Sequence, residues 1–496
     1  MYFKKNIFNL KFLFFLGVVF LVIDTVMGVT HVGVWADELF SIKMVSLPLE
    51  DMINLGIQDV HPLLYYFIYK LFVNIFLVLG YNNIPLIGVF VSLIPMYILC
   101  IVNYFITSKE FGFREASLFN FLIFSMPLLM SYSVEIRMYT WALLFITLQF
   151  IFIKKIINES NIFNWTIFTI MAILSAYTHY FAAIASFTLY LTFLIYVLLK
   201  NRLLLKKLLL SAIVTIFVYI PWLPSLLYQV SQVRSDFWLP DLTVVSIFDS
   251  ILFVFSPYYN PNLNLNIILS QPIAIICAII LICSIFIVLI KNNWKMDNSL
   301  VLIGLISFLL IPTIGIGFSL FDTAIYHRRY IFPALGIFWL CFSILFFKLD
   351  NKKIMGVIIV TLLIIASINA IGFIYSQELG YEHTLIKYES LNNVITDKDI
   401  VITQDNVTFI ELNGYYLSDS YHFKYNHDLI VNLDSLFNNS TISNLLNNGS
   451  NVYFVDNNNN DSELLQSYGF NVTNTGINEF DGDIRSYTIY EISKSF

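Results

Sequence analysis

The sequence predicts an α-helical polytopic membrane protein with a small C-terminal α/β extracytoplasmic domain. Apolar content carries the first part of that expectation. Of the 496 residues 58% are hydrophobic and 12% charged, with a mean hydropathy of +0.76, more apolar surface than a soluble core can enclose. The sidedness of the basic residues is the second observation, and a change of composition near residue 375 is the third.

The first span, near residues 7–29, follows Lys4-Lys5. Its apolar stretch exceeds the ~7–15 residue core of a signal peptide and no small-residue cleavage site follows, so it reads as a retained helix with a cytoplasmic N-terminus. Further apolar runs fall near 84–107, 116–133, 138–153, 162–199, 208–229, 264–290, 299–320, 330–347 and 354–374. The 162–199 run is too long for one crossing of a core about 30 Å thick. It reads as two spans with His179 at the hairpin tip, which brings the total to about eleven. All four cysteines, Cys100, Cys277, Cys283 and Cys341, lie in apolar runs without the spacing of a metal site or a disulfide framework.

The segment 62–80 is also long enough to cross, and the positive-inside rule decides its place. With 62–80 outside, sixteen basic residues between Lys4 and Lys353 fall in cytoplasmic segments, against Lys43, Lys70, Arg137, Arg234, Arg328 and Arg329 outside. If the segment crosses, thirteen of those sixteen move outside. The first arrangement is favoured. It makes 62–80 an interfacial helix inside a first outer loop of residues 30–83, with Tyr66, Lys70 and Asn74 recurring as a polar stripe.

Residues 1–374 therefore form a transmembrane domain and 375–496 a soluble outer one. The latter is rich in Asn, Asp, Ser and Thr and holds 17 Asp and Glu against 5 Lys and Arg. Residues 399–403, 451–456 and 485–492 cluster β-branched and aromatic residues as strands do, and 434–447 and 461–469 read as short helices. Sequons stand at Asn406, Asn438, Asn439, Asn448, Asn460 and Asn471, in a stretch so rich in Asn that chance matches are expected. No tandem repeat, Gly-rich phosphate loop or heptad run is present, and nothing supports nucleic-acid binding.

The topology gathers distant polar residues at one side. Asp37, Glu38, Asp59, His61, Glu135, Arg137, Tyr139, His179, Tyr326, His327, Arg328, Arg329 and Tyr330 all fall at outer ends of spans or in outer loops. An ionisable group in the membrane costs roughly 2.5–3.5 kcal/mol on insertion scales, so such groups are paired, hydrated or functional.

Asp37-Glu38, the segment Asp59-Val60-His61-Pro62-Leu63-Leu64-Tyr65, Glu135-Ile136-Arg137-Met138-Tyr139, Thr178-His179-Tyr180 and Arg329-Tyr330 with Pro333 occur in that order. In this set the chain resembles polytopic glycosyltransferases of the C superfamily, the group of the protein O-mannosyltransferases and aminoarabinose transferases. The resemblance covers about residues 1–350, with one departure: Leu63 follows Pro62 where the family often has a second proline. It implies sugar transfer from a polyprenyl-phosphate-linked donor to a protein, glycan or lipid acceptor at the outer membrane face. It also implies a first-loop acidic residue, here Asp37, as base or acceptor-orienting group.

Residue chemistry fits that expectation. Glycosyl transfer needs a carboxylate to take the proton of the incoming hydroxyl; Asp37 is the first choice, with Glu38 and Asp59 as rivals. Both residues of the pair also suit the cap of a helix starting at Leu39. Arg137 and Arg329, with Arg328, suit the departing phosphate through permanently charged, bidentate contacts. Asp59, His61, Glu135, Tyr139, His179 and Tyr330 are candidate substrate contacts. Asp37, Asp59 and Glu135 have the hard oxygens that Mg²⁺ or Mn²⁺ takes, but their spacing is no metal motif, and a cofactor-free enzyme is equally compatible. A transporter or flippase of lipid-linked substrates competes from another class, but it would need ionisable groups near mid-membrane, where the spans offer only Asp24. A non-catalytic scaffold for the acidic outer domain accounts for residues 375–496 but not for the gathered Asp, His and Arg set.

Overall fold

A computed structural model describes residues 10–235, 299–349, 351–403, 412–417, 420–424, 449–456, 461–467, 469–481 and 485–494, with Thr408 and scattered positions between 239 and 283. Most of the 264–290 run, the expected helix 434–447 and the sequons at Asn406, Asn438, Asn439, Asn448 and Asn460 lie outside the described residues. The chain divides into two compact units, Met1–Val32 with Leu47–Gln377, and Gly33–Ser46 with Glu378–Phe496.

The first unit is helical. Among the described residues eight helices are long and apolar enough to cross a membrane: Lys11–Thr30, Ile84–Phe111, Tyr139–Asn158, Tyr180–Lys200, Arg202–Arg234, Ser299–Phe321, Arg328–Phe346 and Lys352–Asn392. The chain is thus a multi-pass membrane protein. The helix Ile162–Thr178 is shorter, at 17 residues. It meets Tyr180–Lys200 at His179, whose extended backbone (φ −159°, ψ 138°) makes the expected hairpin tip. The helix Leu64–Val78 has 15 residues and so spans about 22 Å, short of a membrane core. Its packed face carries Tyr65, Tyr66, Tyr69 and Val73, while Phe67, Leu71, Ile75 and Val78 are exposed. The expected stripe of Tyr66, Lys70 and Asn74 is therefore split, with Tyr66 in the core.

The 116–133 run, expected as one span, is broken. The helix Phe113–Ser125 stops where Met126 becomes extended (ψ 159°), the conformation favoured before a proline. Leu128 then takes a left-handed conformation (φ 62°) before the short helix Leu129–Val134. A break inside an apolar region strands backbone carbonyls that no water can reach. Asn369, 1% exposed on the helix Lys352–Asn392, answers it: its Nδ2 donates to the carbonyls of Ser125 and Met126 at 3.2 and 3.3 Å. Elsewhere the helices approach closely through small residues. A Cβ on Gly336 would lie 1.8 Å from Thr147 Oγ1, so the helix Leu335–Phe346 can sit against Tyr139–Asn158 only with glycine there.

The second unit contains a five-stranded mixed sheet ordered β2-β1-β3-β5-β4, with β1 Ile400–Thr403, β2 Tyr421–Lys424, β3 Val452–Asp456, β4 Phe470–Asp481 and β5 Arg485–Lys494. β1 pairs in parallel with β2 and β3, while β5 runs antiparallel between β3 and β4. Ile400, Ile402, Val452, Phe454, Leu465, Phe470 and Ile492 form its core. The strands expected at 399–403, 451–456 and 485–492 are β1, β3 and β5, and the helix expected at 461–469 is Asp461–Ser467. The Asn471 sequon lies exposed on the edge strand β4. Residues of the first outer loop also belong to this unit. The helix Ala36–Ser46 packs on the turn Leu412–Tyr416, Val34 N–H donates to Thr384 Oγ1 at 3.3 Å, and Gly33 meets the Gly380 backbone.

Replacing the amide that bridges the broken helix gives a direct test. Asn369→Leu removes both bonds and leaves the Met126 carbonyl only the Leu129 N–H at 3.2 Å; it is expected to destabilise the protein by about 1–3 kcal/mol, read as a lower midpoint of thermal unfolding in detergent.

Candidate active site

Four turns of the first unit bring the expected residues together. His61 lies between the helices Leu49–Gln58 and Leu64–Val78, and Arg137 between Leu129–Val134 and Tyr139–Asn158. His179 is the hairpin tip, and Arg329 and Tyr330 belong to the 3-10 helix Arg328–Ala334. These residues stand at or beside helix ends, where backbone groups need outside partners and polar side chains collect.

The two histidine rings lie together, 5.0 Å between centroids and 30° between planes. Tyr139 and Tyr330 flank the His179 ring at 5.8 and 5.3 Å. Tyr330 also stacks on Phe181 at 4.5 Å and carries the Arg329 guanidinium 5.9 Å from its ring centre. Arg137 is 4% exposed and donates from one terminal nitrogen to the Tyr66 hydroxyl at 3.3 Å. Of the two adjacent arginines, Arg328 is exposed and Arg329 half-buried, so only Arg329 shares this cluster's shelter. His327 caps the 3-10 helix, its Nδ1 accepting the Arg329 N–H at 3.3 Å.

Electrostatics separates the cations from the histidines. Burial, followed by the field of Arg329 and then Arg137, drives His179 down to about 3. His61 is likewise held well below the ordinary histidine value, by burial and then by Arg137, His179 and Arg329. Both rings are neutral at neutral pH. His179 Nδ1 accepts the Phe181 N–H at 3.0 Å, so a neutral ring carries its proton on Nε2. That Nε2 and His61 Nδ1 are buried and have no hydrogen-bond partner among the described residues. The cluster thus offers two permanent cations and a sheltered N–H, an arrangement that suits a multiply charged oxyanion.

Other expected residues stand differently. Asp59 and Glu135 are half-buried on the same turns as His61 and Arg137. Tyr139 is fully buried, with Tyr132 edge-on at 4.9 Å. Asp37 and Glu38 belong to the second unit, at the start of the helix Ala36–Ser46. Glu38 is 5% exposed, and its Oε2 accepts the Trp35 N–H at 3.2 Å. This is the reach-back of a third-position glutamate that closes a helix N-terminus, so the capping role weighed for the pair belongs to Glu38. Asp37 is half-buried in the first turn. Among the described residues no group of three His, Cys, Asp or Glu side chains that could hold a metal ion is found. Asp24, buried in the first span, accepts the Ser133 hydroxyl at 3.0 Å. Tyr65 and Tyr66 entered the sequence reading only through the Asp59–Tyr65 segment and the polar stripe, and Tyr132 was not singled out.

No family model matches the chain, and no curated protein matches it. Among solved structures, ArnT from Cupriavidus metallidurans, bound to undecaprenyl phosphate, superposes with a TM-score of 0.55 over 97% of this chain and 98% of that one, at 11% identity. The chain shares the ArnT fold. The archaeal oligosaccharyltransferase AglB from Archaeoglobus fulgidus, in complex with an inhibitory peptide and a dolichol-phosphate, matches at a TM-score of 0.46 and 11% identity, over 89% of this chain and 69% of that one.

The depressed histidine sets a pH test. Below the ordinary histidine value of about 6.5 the unfolded chain takes up a proton that folded His179 refuses, so folding stability falls as pH drops from there toward about 3. His179→Gln is expected to flatten that part of the curve, measured as unfolding midpoint against pH in detergent.

Proposed function

We propose that this protein is a membrane glycosyltransferase that moves a sugar from a polyprenyl-phosphate-linked donor to an acceptor hydroxyl at the outer membrane face. The observation that carries the reading is the cluster of Arg137, Arg329 and two neutral histidines at adjoining turns of a membrane unit. A lipid phosphate is an anion with an apolar tail, and a cation cluster set among apolar helices suits both parts. The fold neighbour ArnT holds undecaprenyl phosphate, which agrees with such a donor. The positive-inside pattern gives the outer orientation, with the N-terminus cytoplasmic.

In the proposed reaction Asp37 takes the proton of the acceptor hydroxyl, and the freed oxygen forms its bond to the donor's anomeric carbon. The bond from that carbon to the phosphate oxygen breaks in the same displacement, inverting the configuration. The polyprenyl phosphate leaves as an anion and needs no proton. Arg137 and Arg329 meet its charge, with the His179 Nε2–H as a third donor; Arg328, being exposed, contributes to the surrounding field. Placing fixed donors where charge develops, in a site poor in water, is the main source of rate in such a reaction. Tyr139 and Tyr330 flank the His179 ring, and Asp59 and Glu135 are the proposed contacts for sugar or acceptor hydroxyls. No step is routed through a metal ion.

Incubation of the purified protein with polyprenyl-phosphate sugars and candidate acceptors, followed by mass spectrometry of the products, tests the reading. Asp37→Asn is expected to abolish transfer while leaving lipid-phosphate binding intact; full activity in that variant would overturn the assignment of the base. Arg137→Lys and Arg329→Lys keep the charge but lose the planar fork. Each is expected to weaken polyprenyl-phosphate binding by about tenfold, equivalent to ~1.4 kcal/mol, measured by titration in mixed micelles.

A further inference from the structure

The stacked histidines come from turns far apart in the sequence, and their register depends on a residue outside the cluster. Gln229, on the helix Leu223–Ser235, is 2% exposed. Its side-chain amide reaches both histidine-bearing segments. Nε2 donates to the Gly56 carbonyl at 3.0 Å and the Ile57 carbonyl at 3.2 Å, in the last turn before Asp59 and His61. These are end carbonyls of the kind a helix leaves without an internal partner. On its other side, Oε1 accepts the hydroxyl of Tyr180, the residue that follows His179.

The direction of that last bond is fixed by a fourth group. Trp222 Nε1 donates to the Tyr180 oxygen at 3.1 Å; an indole N–H can only donate, so the phenol proton is left for Gln229. The helix is also anchored at its far end, where Arg234 grips Asp322 Oδ2 through Nε at 3.0 Å and a terminal nitrogen at 2.6 Å. Every hydrogen-bonding atom of the Gln229 amide group therefore faces one of the two turns, and the helix that carries it is held at both ends.

We infer that Gln229 is a positioning residue for the His61–His179 pair, locking the turn before His61 to the turn after His179 so that both rings face the anion site. Its consequence for activity rests on the glycosyl-transfer reading; its consequence for geometry does not. A misplacement of the order of an ångström in such a site costs up to about a hundredfold in rate.

The test uses the full-length protein in detergent micelles. Gln229→Met keeps the length of the side chain and removes all three hydrogen bonds. It is expected to speed amide hydrogen exchange at residues 57–63 and 178–182, leave exchange within 142–153 unchanged, and lower kcat by about tenfold to a hundredfold with a smaller change in donor KM. Tyr180→Phe is expected to give a smaller loss, and adding it to Gln229→Met should cost nothing further, because both act through one tie. Gln229→Glu supplies a pH readout: a protonated carboxyl still donates to a carbonyl, whereas a carboxylate cannot. Its kcat should fall with rising pH along a limb that wild type lacks, even if Gln229→Met fails to fold. Unchanged exchange at both turns, or altered exchange with full kcat, overturns the inference, as does a Gln229→Glu profile parallel to wild type. If wild-type protein transfers no sugar from any polyprenyl-phosphate donor, the proposed function fails, and the exchange measurement still decides the tie.

Discussion

Everything in the membrane unit depends on one constraint: a polar group out of reach of water must find its partner within the protein. A guanidinium as sheltered as that of Arg137, 4% exposed, exists in such a chain only where a helix has ended and its neighbours supply polar atoms. The helix Leu129–Val134 ends just before it, at Glu135. Upstream, the break at Met126 and Pro127 is bridged by Asn369, and past Glu135 the chain brings Tyr139 against the His179 ring. The chemistry of the site is a consequence of where helices fail.

The same constraint divides labour between the ionisable groups. Arginine keeps its charge under burial, whereas histidine surrenders its own. Arg137 and Arg329 thus act as fixed cations, and their field pushes His61 and His179 into the neutral form. A neutral histidine adds a hydrogen-bond donor without adding repulsion between cations. The backbone N–H of Phe181 completes the arrangement by occupying His179 Nδ1 and leaving the proton on Nε2. Gln229 then matters because a donor of fixed direction is useful only when the turn that carries it is fixed as well.

The acidic pair shows how one motif can separate into two roles. Glu38 closes the N-terminus of the helix Ala36–Ser46 through the Trp35 N–H, while its neighbour Asp37 is left as the proposed base. Both lie in the unit that contains the C-terminal sheet, whereas the arginines and histidines belong to the helical unit.

By itself the sequence determined the class of the fold, because hydropathy and the side preference of Lys and Arg are sums over many residues and survive local errors. It also placed the hairpin tip at His179, from the length of the 162–199 run and the Tyr177-Thr178-His179-Tyr180 segment at its middle, and the strands at 399–403, 451–456 and 485–492, from their β-branched and aromatic clusters. It named His61, Arg137, His179 and Arg329, since charges in apolar surroundings stand out. Tertiary structure decided what no local signal carries. How the break before Pro127 is bridged depends on Asn369, distant in sequence, and which of Arg328 and Arg329 is sheltered depends on the packing of Tyr330 and Phe181. Gln229 was invisible because a single amide in a mixed apolar helix becomes meaningful only when Gly56, Ile57 and Tyr180 converge on it. Hydrophobicity is additive along a chain and can be read from it; hydrogen-bond partnership is a relation between distant residues and exists only in the folded state.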